Sequence, residues 1–449
     1  MSTIKAGAEY FRGNKRQIAA DITAAVGKPI AQAEGEVSMS IAKMLTLCKQ
    51  AAEGLATETR NGKGGITYEV HRVPKGVIDI IAPWNYPIFT ALNGVIPALL
   101  AGNAVALKHQ SVPTIGDWFE EAFGKARDDS IVAAPILHLS VDVPTSDWLA
   151  MNADFIHHRV FTGSVGGGRA VSASLGARAQ NHNLASPFVS ASLELGGCDA
   201  AYVHSDLGEG DRHNELISAA QYIVNIGRLH NAGQACCATK RVIVHPNTYD
   251  AFCSLATKLM ASQTPGDPSA KSSTLGPMYG GRSACDHLIQ LVIDAQRKGA
   301  RVVVDGETLT SDADITSRCV FMENFGYFFR PTLLLDATRE MRCMVEESFG
   351  PVLPICRAPL EPLPTGEGVM EIIRASPYAL TASIWTLEQE VADVFVRDVS
   401  VGTCLVNWCN DVHAQIVWSG FGHSGNGAGA MGLEGFRCLT NTKSVLRRA

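Results

Sequence analysis

The chain of 449 residues has no run of about 18 uninterrupted apolar residues, so no segment reads as a membrane span. Its N-terminus, Met1-Ser-Thr-Ile-Lys-Ala-Gly-Ala-Glu-Tyr10, lacks the apolar stretch of a secretion signal, and the expected location is cytoplasmic. Lys and Arg form no long run and the formal net charge is -6, which gives no attraction to phosphate backbones or anionic lipid. Neither nucleic acid nor a membrane is an expected partner. The 12 cysteines include no CxxC pair, so no metal centre and no disulfide framework is expected, and most thiols should be reduced and buried. Two nucleotide signatures are missing as well: no G-x-G-x-x-G follows a strand, and no G-x-x-x-x-G-K-[ST] occurs.

What is present is enough apolar material, 46% of residues, for two or three cored domains. The first 55 residues carry apolar side chains at helical spacing around 17–25 and 35–53, broken once at Gly27-Lys28-Pro29, which predicts two opening helices. Residues 66–71 alternate apolar with polar until Pro74 and Gly76, the pattern of a half-exposed strand in a protruding arm. Short apolar runs at 77–81, 104–107 and 155–161, with a helical stretch at 93–100, predict βαβ units and a parallel sheet covered on both faces. After Gly196 a second series predicts strands at 241–245, 301–304, 332–335, 382–385 and 403–406, with helices at 249–260 and 287–298. That is a second α/β domain. There is no internal repeat, and the glycine-dense segment 420–435 reads as an ordered loop.

Four segments carry candidate chemistry. Phe161-Thr-Gly163-Ser164-Val-Gly-Gly-Gly168 follows a strand and precedes a helix, so Ser164 and nearby amides suit a pyrophosphate, or the segment is a plain glycine turn. Asn231-Ala-Gly-Gln-Ala-Cys236-Cys237 presents a thiol on a polar loop, as a nucleophile requires; a helix N-terminus there would raise its thiolate fraction, while the alternative is a structural cysteine. In Leu193-Glu194-Leu195-Gly196-Gly197 a carboxylate stands in an apolar stretch, where burial raises its pKa toward that of a general base; capping backbone amides is the competing role. Pro83-Trp84-Asn85-Tyr86-Pro87 ends a strand, where ligands gather in open α/β sheets, and Asn85 either donates to an oxyanion or closes a turn.

Together with Pro97-Ala-Leu-Leu-Ala-Gly-Asn-Ala-Val-Ala-Leu-Lys108, Glu346-Glu347-Ser-Phe349-Gly-Pro-Val and Ser419-Gly-Phe-Gly-His-Ser-Gly425, these segments occur in the order found in the aldehyde dehydrogenase superfamily, which the chain resembles from about residue 10 to 445. The resemblance implies an α/β fold of three parts: a parallel-sheet cofactor domain (1–56 and 74–195), an α/β catalytic domain (196–425) and a small β oligomerisation arm (57–73 and 426–449). It makes Cys236 the nucleophile, Glu194 the general base and Asn85 the oxyanion donor alongside the Cys236 amide. Lys108 and Glu347 match the positions that hold the cofactor riboses, and Trp84, Gly163, Ser164, Gly168 and Phe349 those of the cofactor cleft. The implied reaction is NAD-dependent oxidation of an aldehyde to a carboxylic acid through a thiohemiacetal and a thioester, in a homodimer or homotetramer. Ser111 stands where many NAD-preferring relatives place a glutamate, so NADP is also allowed.

The sequence departs from the family pattern at several places. By this pattern a leading segment is expected to be missing, segments 164–194 and 194–236 are longer than usual, Cys198 replaces a lysine, and residues 134–139 replace a glycine-proline turn. Two other readings follow: an acylating relative that passes the thioester to coenzyme A without Glu194, and a non-catalytic member kept for binding. Trp118, Phe119, Trp408 and His413 are candidate substrate-lining residues.

Overall fold

Gly27, with φ at 72°, and Pro29 stop one helix and start the next, but the chain opens with three helices rather than the two predicted. In this computed structural model they are Ser2–Gly13, Lys15–Val26 and Ile30–Gly54. The extra break is at Asn14, whose side-chain amide donates to the Tyr10 carbonyl at 2.9 Å. Ile4, Ala8 and Phe11 before the break and Ile18 and Ile22 after it enter one core, so the apolar period crosses it without a visible fault. The structure describes residues 1–109, 111–124, 136–208, 212–359 and 367–448. Of the altered segment 134–139, Ala134 and Pro135 lie outside the described residues.

The apolar runs after Gly76 form a five-stranded, all-parallel sheet in the order Ile136–His138, Ala104–Lys108, Val77–Ile81, Ile156–Thr162, Ser190–Glu194. The second series forms an eight-stranded sheet. Its order is Glu307–Leu309, Arg301–Val304, Thr332–Leu335, Val352–Arg357, Thr239–Val244, Asp199–Val203, Thr381–Trp385, Thr403–Val406. The last six run parallel, and Arg301–Val304 is antiparallel to both its neighbours. Apolar clusters pack against this sheet, with Leu288, Val292 and Phe395 in one and Phe252, Leu333 and Leu353 in another, which is why the strands read as continuous apolar runs.

The alternating segment pairs with the chain's end. Ile66–Pro74 runs antiparallel to Thr440–Arg448 along its whole length and to Glu58–Asn61 on its other side, making a three-stranded arm. The glycine-dense loop is more structured than predicted: it contains the start of a helix, Gly432–Arg437, and a stretch that closes the edge of the five-stranded sheet. Asn426 accepts from the Leu193 amide (3.1 Å) and donates to the Ala191 carbonyl (2.8 Å), while the Leu195 amide donates to Ser424 (3.0 Å). The strand carrying Glu194 is thereby pinned on both sides.

Candidate active site

Helix His213–Gln221 widens into a π-helical stretch, Tyr222–Leu229, a form that recurs at functional sites. Asn231, Ala232 and Gly233 follow with φ of 53°, 55° and 72°, three consecutive left-handed residues of which only the glycine adopts that conformation freely. Side chains hold this loop. Asn231 Nδ2 donates to the Asn85 carbonyl (3.1 Å), buried Arg228 to the Thr239 carbonyl (3.1 Å), and Gln234 Nε2 to the Pro277 carbonyl (3.2 Å). Strand Thr239–Val244 comes next, so Cys236 sits in a turn and no helix N-terminus activates it. A buried lysine lies there instead: Lys240 Nζ donates to the carbonyls of Ala235 (2.7 Å) and Cys236. Cys236 is partly exposed, whereas the Cys237 thiol is buried and donates to Asn410 Oδ1 at 3.2 Å. Its pKa lies well above the ordinary value, raised by the hydrogen bond with Cys236 and by burial.

Asn85 is delivered to the same place by a buried ion pair. Glu36, on helix Ile30–Gly54, accepts from the amides of Ile88 (3.0 Å) and Phe89 (3.1 Å) and from Lys28. The Lys28 ammonium lies 3.8 Å over the Tyr86 ring, and Tyr86 bonds His230 at 2.7 Å. The turn is thus locked against the cysteine loop, and Asn85 Nδ2 donates one hydrogen to the Gln234 carbonyl at 3.1 Å.

Glu194 ends its strand with its side chain buried. Burial pushes its carboxyl up to about 7, against the pull of a hydrogen bond from Asn93 and the charge of Lys43. Asn93 Nδ2 donates to Oε2 at 3.1 Å, Oε1 has no partner among the described residues, and the Asn93 oxygen accepts from Lys43. Lys43 Nζ also donates to the Phe89 carbonyl at 3.0 Å, and burial brings its ammonium down to about 7. Asn85, Asn93, Glu194, Cys236 and Cys237 all line one cavity of about 320 Å³. Of the expected substrate-lining residues only Trp408 borders it. Phe119 is buried against Phe11 (ring centroids 5.6 Å apart), Trp118 donates to Asp21, and His413 is exposed outside the cavity wall.

The glycine pair after Glu194 is required by close approach. A Cβ on Gly196 would fall 2.2 Å from Glu347 Oε2, and one on Gly197 would fall 2.4 Å from the Cys236 carbonyl oxygen. Glu347 accepts from the Gly197 amide (2.9 Å) and lies 3.9 Å from Lys240, so it is tied to the cysteine turn; burial raises its pKa. Cys198 is buried beside the carbonyl of Glu346.

The expected cofactor residues divide. Ser164 caps helix Val165–Ala179 by accepting from the Gly167 amide at 3.1 Å, and it is exposed. Gly163 donates its amide to the Glu194 carbonyl at 3.0 Å, and Gly168 is packed against Leu195, where a Cβ would fall 2.7 Å from a methyl. Trp84 stacks on Tyr279 (4.2 Å) and meets Phe349 edge-on (5.7 Å), with Phe349 held at a φ of 44°. Ser111 is exposed, its carbonyl accepting from the Tyr279 hydroxyl at 3.3 Å. Lys108 does not stand open to a ligand. Its ammonium is buried and paired with Asp79 at 2.8 Å, a carboxylate that Arg159 also holds at 2.7 Å.

Sequence reasoning missed Lys43, Asn93, Lys240 and Tyr279. For Lys43 a signal existed: Glu36, Ser40 and Lys43 share the buried stripe of their helix with Ala33, Val37, Met44 and Leu47, and charges on an apolar stripe ask for partners.

The profile of the aldehyde dehydrogenase family matches residues 2–445. The chain is 30% identical over 444 residues, 98% of its length and 88% of the relative's, to succinate-semialdehyde dehydrogenase (NADP(+)) 1 of Mycobacterium ulcerans. Among solved structures it is similar to lactaldehyde dehydrogenase from Escherichia coli, with a TM-score of 0.85, 27% identity and coverage of 100% of this chain and 86% of that one. It is also similar to succinic semialdehyde dehydrogenase from Streptococcus pyogenes in complex with NADP+, with a TM-score of 0.84, 25% identity and coverage of 99% and 89%. With a family profile spanning nearly every residue, and a relative at this identity matched along almost its whole length, the chain belongs to the aldehyde dehydrogenase family.

Proposed function

We propose that Cys236, Asn85 and Glu194 carry out NAD(P)-dependent oxidation of an aldehyde to its carboxylic acid. The observation that supports this most is the single cavity that holds all three, with the Glu194 carboxyl pushed up to about 7 inside it. Cys236 attacks the aldehyde carbon, and the resulting oxyanion accepts a hydrogen bond from the second N–H of the Asn85 amide, whose first N–H donates to the Gln234 carbonyl. A bound nicotinamide supplies the hydride acceptor for that carbon, leaving a thioester on Cys236. Glu194 then takes a proton from water, for which its unpartnered Oε1 is available, and hydrolysis frees the thiol.

The residues present fit a dinucleotide at two points. The first turn of helix Val165–Ala179 is open: a Cβ built on Gly166 would meet only Ser164 Oγ, at 3.9 Å, so a pyrophosphate can approach the amides there. Glu347 is the acceptor for a ribose. Lys108 fits that role only if its pair with Asp79 opens. Ser111 carries no charge that would repel a 2′-phosphate, so NAD and NADP are both admitted, and relatives named for NADP favour the second.

We assign the parallel sheet with residues 1–56 and 74–195 to the cofactor domain, 196–425 to the catalytic domain and 57–73 with 426–449 to the arm. The arm shows Tyr68 and Leu446, 46% and 66% exposed and directly paired, on its surface, which favours a homo-oligomer contact. Twelve free thiols favour a cytoplasmic setting.

The test is absorbance of reduced nicotinamide with purified protein, either cofactor and an aldehyde. Wild type should turn over, Cys236→Ala should be silent, and Glu194→Gln should give one burst. Turnover that needs coenzyme A would favour the acylating reading, and silence under all conditions the non-catalytic one.

A further inference from the structure

We propose that the substrate is an aldehyde with an uncharged apolar or aromatic tail, and that the cavity rejects aldehydes ending in a carboxylate. This rests on the reading of Cys236, Asn85 and Glu194 above, and concerns the other end of the same cavity. At about 320 Å³ it lies at the small end of small-molecule sites, and beside the three groups its lining includes Met39, Phe89, Tyr222, Ile226, Trp408 and Trp418. The Tyr222 and Trp408 rings stand 4.8 Å apart. Met39, Ile226 and Trp408 are 47%, 40% and 45% exposed, so the apolar wall continues to the solvent mouth.

Several of the polar groups that line the cavity pair with one another. Trp408 Nε1 donates to Asp411 Oδ2 (3.0 Å), Asn410 donates to the Ile226 carbonyl (2.6 Å) while accepting from Cys237, and His230 bonds Tyr86. No Lys or Arg lines the cavity among the described residues. His230, held down to about 4 by the loss of water around it, is neutral at ordinary pH and supplies no cation. The ammonium of Lys43 lies behind the wall, bonded to the Phe89 carbonyl and Asn93. A terminal carboxylate entering this space would lose its water, meet the negative faces of the rings and find Asp411 as its charged neighbour. An apolar tail gains from contact with the aliphatic and aromatic side chains there by losing water. Asp411, partly exposed and bonded to Trp408 Nε1, opposes an anion there. Specificity therefore comes from exclusion as much as from attraction.

The experiment compares kcat/KM for benzaldehyde, hexanal, succinate semialdehyde and 4-aminobutanal on wild type and on Ile226→Arg. Wild type should prefer benzaldehyde and hexanal to succinate semialdehyde by at least about 100-fold, and to 4-aminobutanal by about tenfold, because an unpaired charge in an apolar site is strongly disfavoured. Ile226→Arg, which places a guanidinium at the mouth, should narrow the gap for succinate semialdehyde at least about tenfold. Preference of wild type for either charged aldehyde overturns the proposed substrate class while leaving the dehydrogenase intact. Should wild type oxidise no aldehyde, the catalytic reading fails, and tail preference is then read from quenching of tryptophan fluorescence in Cys236→Ala. Tighter binding of benzaldehyde supports the proposal there, and equal or tighter binding of succinate semialdehyde overturns it.

Discussion

Replacing Asn93 with leucine removes the hydrogen bond that buried Glu194 accepts at 3.1 Å. A hydrogen bond to a charged group is worth about 1.5–3 kcal/mol, and about 1.4 kcal/mol corresponds to one pH unit of pKa. The Glu194 carboxyl, already at about 7 because burial opposes its charge, should therefore rise by about one to two pH units. Lys43 loses an acceptor in the same change and keeps the Phe89 carbonyl, so its ammonium becomes easier to neutralise, which pushes Glu194 in the same direction. Glu194 works as a base when ionised, so the limb of the hydrolysis rate that rises with pH through about 7 should move to higher pH. At pH 7.5 the ionised fraction falls from about three-quarters to between about a quarter and a thirtieth, a loss of roughly 3- to 25-fold. Stopped-flow absorbance separates the steps. The burst, which needs Cys236 and Asn85, should persist, while the steady-state rate drops at pH 7.5 and recovers toward pH 9.5. An unmoved pH profile in a folded variant, or a burst lost as fully as the steady state, would refute the assignment of Glu194 to hydrolysis.

Asn85→Ala should lower kcat about 10²–10³-fold, the usual cost of an oxyanion donor, with its burst slowed rather than its hydrolysis step. Gly197→Ala forces a methyl to 2.4 Å from the Cys236 carbonyl oxygen, so thermal unfolding should show a loss of about 1–3 kcal/mol, and alkylation of Cys236 should change rate. Lys108→Ala should cost up to about 3 kcal/mol of stability by leaving buried Asp79 with Arg159 alone, and leave KM for the cofactor unchanged. A raised cofactor KM with an unaltered Tm would instead place Lys108 on a ribose.

The sequence carries the parts of the site that chemistry places next to one another along the chain. Glu194 stands beside the glycines that let Glu347 and the Cys236 carbonyl approach, and Asn85 lies in a short turn after a strand. Partners that orient these groups come from far away. Asn93 is 101 residues from Glu194 and Asn231 is 146 from Asn85, and no local pattern marks a contact of that range. Lys108 shows the converse. Its motif position suggests an open ligand site, but in the sheet it pairs with Ile81, and two residues back on the same face of that neighbouring strand is Asp79, to which its ammonium turns. The chain opens with three helices where the apolar period predicts two, because a break at Asn14 leaves the buried face in phase. Trp118 and Phe119 read as aromatic lining for the same reason that they are core: large apolar rings at helical spacing belong to either.

The central claim is that Cys236 becomes acylated and Glu194 releases the acid. Its most direct test is tandem mass spectrometry of Glu194→Gln after reaction with cofactor and aldehyde, quenched in acid. The account predicts an acyl group on Cys236, with Cys237 unmodified and wild type nearly free of adduct. An adduct on Cys237, or turnover by Glu194→Gln with no trapped thioester, would contradict it.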